Sequence, residues 1–315
     1  MRPLVMTYGM GIGAEIALKA LPQLLPLGRP LVLMGRQSLL VEESQRLGLS
    51  FAMEGVSTVF CEDGDEPAEI VAIRQAALGC RDGQYAAMTT GPINKAILID
   101  QGFAFKGHTD FLADIFDTPT VMAFWSGGLQ VVLMTTHIPL KDVPSHLSIE
   151  GILQTVSIAD GAWYRDLGIK ATFAVCGLNP HAGEKGKLGD EEIRIIAPAC
   201  DLLRERGVNI VGPISAETAF LMAKKKEVDV VVAMYHDQGL APLKLMSFGE
   251  SVNWTLGLPI IRSSVDHGTA DDIVGQGIAD ESSMIAAVQL AHQIVSKAEL
   301  HHSLSEMLGG GYSEL

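Results

Sequence analysis

The chain has 315 residues, 48% of them hydrophobic and 6% aromatic, with 33 glycines, and its 23 basic and 37 acidic side chains leave a net charge of −14. That length and composition suit an α/β enzyme of one large or two medium domains. The acidic balance, with no basic run longer than Lys224, Lys225 and Lys226, argues against nucleic-acid binding across the surface and requires any anionic substrate to find a local basic pocket in a repelling field.

Residues 4–8 (LVMTY) predict a first strand, followed by glycines at 9, 11 and 13 and a helix over 15–25. The spacing is G-x-G-x-G, not G-x-G-x-x-G. The next strand, 30–35, ends in Arg36 and Gln37 instead of the acid that takes ribose hydroxyls, so no Rossmann nucleotide loop is expected here. Further along, helical apolar spacing covers 66–80, 150–168, 190–207 and 282–300, and strands are expected at 85–91, 129–136, 170–178 and 228–235. This alternation is that of βαβ units around a parallel sheet. No internal repeat or low-complexity linker divides the chain. Cys61, Cys80, Cys176 and Cys200 have neither metal-site nor disulfide-framework spacing, which predicts free thiols in a reducing compartment. The N-terminus lacks signal-peptide features and no apolar run is long enough for a bilayer, so a cytoplasmic location without membrane attachment is expected.

The strongest chemical signals follow predicted strands, where open α/β sheets place their ligands. His137 ends LMTTH, His181 closes VCGLNPH, and His236 follows VVVAMY. Three imidazoles in equivalent positions suit a catalytic divalent metal with an open coordination position. The intervals are too long for a local ligand motif, so only the fold can bring them together. His108 in GHTD and His267 in VDHGTA raise the histidine candidates to five.

Six blocks carry a resemblance: TTGPINK (89–95), KGHTDFLA (106–113), TTHIPL (135–140), GLNPHAGEKGKLGDEE (177–192), AMYHDQGLAPLK (233–244) and VNWTLGLPIIRSSVDHGTADDI (252–273). In this order they resemble the 4-hydroxythreonine-4-phosphate dehydrogenase family of pyridoxal phosphate biosynthesis. The resemblance implies NAD- or NADP-dependent oxidation and decarboxylation of 4-phosphooxy-threonine, a phosphorylated β-hydroxy acid. It also implies two α/β/α domains around a cleft, as in the isocitrate and isopropylmalate dehydrogenases, with residues 1–130 and 265–315 in one domain and 131–264 in the other. His137, His181 and His236 match the family's metal ligands, with zinc expected first and cobalt or magnesium as alternatives. His108, Thr109, Lys244, Asn253 and Arg262 match its substrate-binding positions. The stretch from 266 to 277 is similar to the adenosine loop of those decarboxylating enzymes and points to Gly268, Thr269, Ala270 and Asp272 for the nucleotide. A homodimer is implied, with the metal site shared: the equivalents of His137 and His181 come from one subunit and that of His236 from its partner.

Lys244 and Arg262 lie in the apolar runs LAPLKLM and LPIIRSS, which reads as two buried cations awaiting an anion such as phosphate. Asp237, His108 and Lys95 are the proton-transfer candidates, with Asp237 equally suited to supporting a metal-bound imidazole. The chain departs from the family in two places. Its first loop, YGMGIGAE, stands where the family usually reads close to GDPAGIGPE, lacking the aspartate and prolines and about two residues shorter. Glu217 replaces a frequent aspartate. These departures keep open a phosphorylated sugar acid or a dihydrodiol as substrate, and a hydrolase or aldolase without nicotinamide is the reading from another class.

Overall fold

Four consecutive buried residues, Leu4–Thr7, form strand β1; Leu4 and Met6 pack on one face and Val5 on the other, none more than 1% exposed. A strand buried on both faces needs helices on both. The computed structural model describes residues 1–103, 107–126, 128–246 and 251–307, and its first compact unit, Met1–Thr120 with Val252–Ser296, provides them. After β1 come α1 (Gly13–Leu24), β2 (Leu31–Gly35), α2 (Gln37–Leu47), β3 (Val56–Phe60), α3 (Ala68–Arg81), β4 (Ala87–Thr90), α4 (Lys95–Asp100) and α5 (His108–Phe116).

The second unit, Val121–Ser251 with the chain from Lys297, contains β5 (Val121–Ser126), β6 (Leu129–Leu133), α6 (Val143–His146), α7 (Ile149–Leu167), β7 (Thr172–Cys176), α8 (Ala197–Glu205), β8 (Asn209–Ile214), α9 (Ala216–Lys224), β9 (Val230–Ala233) and α10 (His236–Met246). The chain then returns through β10 (Val252–Leu256) and β11 (Arg262–Ser264) to the long α11 (Ser282–Met307).

Strands of the first unit lie in the order β3-β2-β1-β4-β11-β10, parallel from β3 to β11 with β10 antiparallel. Residues of α1 and α11 cover one face and those of α3, α4 and α5 the other. In the second unit the order is β5-β6-β9-β7-β8, parallel from β6 onward. Its core joins Val131, Val231, Ala174 and Phe220, while Trp163 stacks on Trp125 and meets Phe173 edge-on, each at 6.2 Å. All four cysteines are buried and unbonded, as their spacing predicts, and burial pushes the Cys80 and Cys176 thiols up to about 12. Among the described residues no helix is long and apolar enough to cross a membrane.

The six predicted strands and five predicted helices all occur, although the helix expected over 190–207 begins as a wide π turn, Glu192–Ile196. Unpredicted elements have physical reasons for being quiet. β3 is a partly exposed edge strand, and α10 carries Gly239 and Pro242 inside it.

The opening glycines have a packing role. Gly11 has φ +85°, and a Cβ there would lie 2.6 Å from Thr269 Cβ and 2.7 Å from its carbonyl oxygen. The next amide, Ile12 N, donates to that same carbonyl at 3.1 Å. The turn after β1 is thus a seat for the 266–277 loop. Glu15, 1% exposed, clamps the far end of that loop: it accepts from Ala279 N at 2.9 Å and pairs with Lys19 at 2.8 Å and Arg46 at 3.1 Å. Lys19 also donates to the carbonyls of Gly277 and Ala279, each at 2.8 Å. Burial alone would raise the Glu15 carboxyl, but Lys19, the Ala279 amide and Arg46 outweigh it and hold the group below its ordinary range. Gly11→Ala combines left-handed strain with overlap against Thr269, so it is expected to lower stability by about 2–4 kcal/mol in urea unfolding followed by circular dichroism.

Candidate active site

Arg262 begins β11 opposite Thr255 on β10, and β11 lies beside β4. Only 2% exposed, Arg262 donates to Thr255 Oγ1 at 2.7 Å and to Thr90 Oγ1 at 2.5 Å, while its Nε has no partner. Among the described residues no carboxylate pairs with it. Burial pushes the guanidinium down to about 9, so it stays protonated at neutral pH. Asn253 lies two residues before Thr255 and thus on the same face of β10, and its buried Oδ1 also lacks a partner. A buried cation with donors to spare is an incomplete structure, and an anion completes it.

His108 and Thr109 open α5, whose first amides suit an anion. His108 is half-buried, and burial first, then the charges of Arg262 and Lys95, push its imidazole well below the usual range. Lys95 opens α4, is exposed, and places its Nζ beside Gly107. Gly268, Thr269, Ala270 and Asp272, the nucleotide candidates, lie in the loop seated on Gly11, with Ala270 at φ +46° and Asp272 exposed.

In the second unit, β6, β9 and β7 are neighbouring parallel strands, and His137, His236 and His181 follow their carboxyl ends in turn. The rings of His137 and His236 have centroids 5.5 Å apart. Two imidazoles on one zinc, with Zn–N near 2.0–2.1 Å, would have centroids about 5 Å apart, so this pair fits a single ion. His236 Nδ1 lies 2.7 Å from Asp237 Oδ1, which orients the ring and leaves Nε2 for a ligand. His181 is not gathered with them: among the described residues no three histidine, cysteine, aspartate or glutamate side chains cluster closely enough to hold an ion. It lines an open cleft with Asn179, Glu217, Phe220, Tyr235 and Gln238. The Glu217 carboxyl is held low, first by its own backbone amide and then by the Ser215 hydroxyl.

Lys244 corrects an expectation. It is exposed, because Leu240 and Leu243 take the inward face of α10 while Leu245 is 75% and Met246 48% exposed. The apolar run around Lys244 is not a buried one.

The sequence model of the family described as "Pyridoxal phosphate biosynthetic protein PdxA" matches residues 58–291. A 4-hydroxythreonine-4-phosphate dehydrogenase of Ectopseudomonas mendocina (strain ymp) is 40% identical over 314 residues, covering 91% of this chain and 93% of the relative. The chain belongs to the PdxA family. The 4-hydroxythreonine-4-phosphate dehydrogenase from Klebsiella pneumoniae, known from a 1.25 Å crystal structure, is 35% identical and superposes with a TM-score of 0.84 over 93% of this chain and 98% of that one. The isocitrate dehydrogenase from Methylococcus capsulatus, at 15% identity, shares the fold, with a TM-score of 0.54 over 99% and 92% of the two chains.

Within this PdxA-family chain several site residues carry no signal in a sequence read for ligands alone. His181 opens a run of five residues, to Lys185, with positive φ. Glu192, 4% exposed, ties the root of that run: it accepts from Asn179 N at 2.7 Å and Asn179 Nδ2 at 3.0 Å. Gln238 accepts from Met234 N at 2.6 Å and donates to Gly177 O at 2.8 Å, joining the ends of β9 and β7. Glu192 and Gln238 both lie inside the quoted blocks, which was the available signal. Thr90 and Thr255 also lie inside the quoted blocks, and their bonds to Arg262 give them their part in the site.

The depressed His108 gives a pH dependence whose sign follows directly. The unfolded imidazole binds its proton near pH 6.5 and the folded one only at lower pH, so acid favours unfolding below about 6.5, by up to about 1.4 kcal/mol per pH unit from this group. His108→Asn is expected to remove that increment, seen as a smaller loss of the urea midpoint between pH 7.5 and 5.5 than in wild type.

Proposed function

We propose that this chain is a 4-hydroxythreonine-4-phosphate dehydrogenase, oxidising and decarboxylating 4-phosphooxy-threonine in vitamin B6 biosynthesis as a homodimer in the cytoplasm. The observation that carries the reading is the buried Arg262 guanidinium without a carboxylate, next to the neutral His108 at a helix start. In a chain of net charge −14 this is the local basic pocket that a phosphate demands. Arg262, with the opening amides of α5 at His108 and Thr109, binds and orients the phosphorylated end. Asn253 Oδ1 accepts a hydrogen bond from the ligand. His108 acts as an uncharged hydrogen-bonding group there, and Lys95 holds the proton that the product carbon needs once carbon dioxide has left.

His137, His236 and a third imidazole would hold a divalent ion, zinc first, and Gly268, Thr269, Ala270 and Asp272 would seat a nicotinamide; the ion would supply Lewis acidity toward the substrate hydroxyl and the nicotinamide a hydride acceptor. Asp237 acts through His236, keeping its Nδ1 occupied. The pairing of His137 with His236 in one chain, with His181 apart, differs from the division the resemblance implies, in which the equivalent of His236 comes from the partner, and it supports a metal site whose third imidazole comes from across the dimer.

Two experiments test the reading. Arg262→Ala is expected to weaken substrate binding by about 2–3 kcal/mol, the range for a lost charge-assisted contact. An equal loss for an unphosphorylated analogue would show that Arg262 does not read phosphate. The shared metal site predicts complementation: His181→Ala and His236→Ala homodimers are each inactive, yet exchanging their subunits leaves one intact site per heterodimer. Random exchange makes about half the dimers mixed, so about one quarter of wild-type activity returns. A set of ligands drawn wholly from one chain leaves the mixture dead.

A further inference from the structure

A narrow cleft lies beyond the carboxyl ends of β1 and β4, lined among others by Tyr8, Gly9, Glu69, Gly91, Pro92 and His108. Glu69 comes from the first turn of α3, is 3% exposed, and neither carboxylate oxygen has a hydrogen-bond partner. Its nearest cation, Arg36, stands 3.5 Å from Oε2. That arginine is already engaged, donating to both oxygens of Asp63 at 2.6 and 2.7 Å. Asp63 in turn accepts from Ala68 N at 3.0 Å, which fixes the pair at the start of α3. Glu69 thus pairs loosely with Arg36 through Oε2 and keeps Oε1 without a partner in a place where water is largely excluded, and such an oxygen favours a ligand that donates.

The surroundings define the donor. Gly9 lies so close that a Cβ there would stand 3.0 Å from Glu69 Cγ, so the backbone leaves room for a small group only. His108, on the same cleft, is within reach of the Arg262 charge. One unit thus presents the Glu69 carboxylate, with Oε1 outside its Arg36 pair, and the Arg262 guanidinium, with Nε outside its two threonine bonds, which suits a ligand that carries both a cation and an anion.

Resting on the dehydrogenase reading above, we propose that Glu69 is a specificity residue whose carboxylate binds the primary ammonium of an amino-acid phosphate. A phosphorylated sugar acid or a dihydrodiol offers no such cation.

Calorimetric binding without nicotinamide tests this independently of turnover, using 4-phosphooxy-threonine and its deamino analogue, 3-hydroxy-4-phosphooxybutanoate. Wild type is expected to prefer the amino compound by about tenfold or more, and Glu69→Gln to erase that preference while holding the analogue within about twofold of wild type. Glu69→Asp, which keeps the charge, retains part of the preference and guards against a folding defect in the glutamine variant. A wild type without preference, or a preference surviving in Glu69→Gln, overturns the site while leaving the dehydrogenase reading intact. Wild type that binds neither compound overturns both. Wild type that binds them with a Glu69-dependent preference but oxidises neither when nicotinamide and metal are added upholds the ammonium site and overturns the activity alone.

Discussion

Arg262 puts a positive charge inside a sheet, and that constraint organises the first unit. A guanidinium 2% exposed must be solvated by the protein or by a ligand. Thr255 and Thr90 supply two neutral acceptors from the flanking strands, leaving Nε and the net charge uncompensated. The same charge helps keep His108 unprotonated. A site with a fixed cation, a neutral imidazole and, among the described residues, no carboxylate partner is prepared for an anion before any anion arrives, and it loses little reorganisation when one binds.

Both units use one device. Parallel strands end on a common edge, and the side chains that follow them are delivered together without any local spacing motif. In the second unit His137 and His236 meet at this edge while His181 stands apart, and Gln238 and Glu192 determine how two of the three departing segments leave it. The left-handed run from His181 to Lys185 is strained backbone, maintained because Glu192 satisfies Asn179 beneath it. Strain of this kind holds an imidazole away from its own strand edge and is consistent with a ligand offered outward.

The first loop shows how a glycine pattern misleads when it is read as a phosphate cradle. Gly11 is required by the carbonyl and side chain of Thr269, and Glu15 with Lys19 and Arg46 secures the other end of the same segment. The glycines serve the neighbouring loop by close approach. A shortened loop that keeps this contact retains its architectural part.

The continuous apolar runs and the helical patterns by themselves determined the alternating α/β architecture, since β1 and β9 are apolar apart from Thr7 and the helices between strands have apolar faces. The quoted blocks likewise determined the family, and the strand-end histidines were visible as a set. Burial of individual charges was decided only by the tertiary structure. Arg262 and Lys244 both sit in apolar runs, yet one lies on a central strand with neighbours on each side and the other on the outer face of a helix; a one-dimensional window averages over that difference. Glu69 was silent for the same reason: in sequence it is an ordinary acid in the first turn of a helix, and only the packing of that turn against Gly9 removes its water.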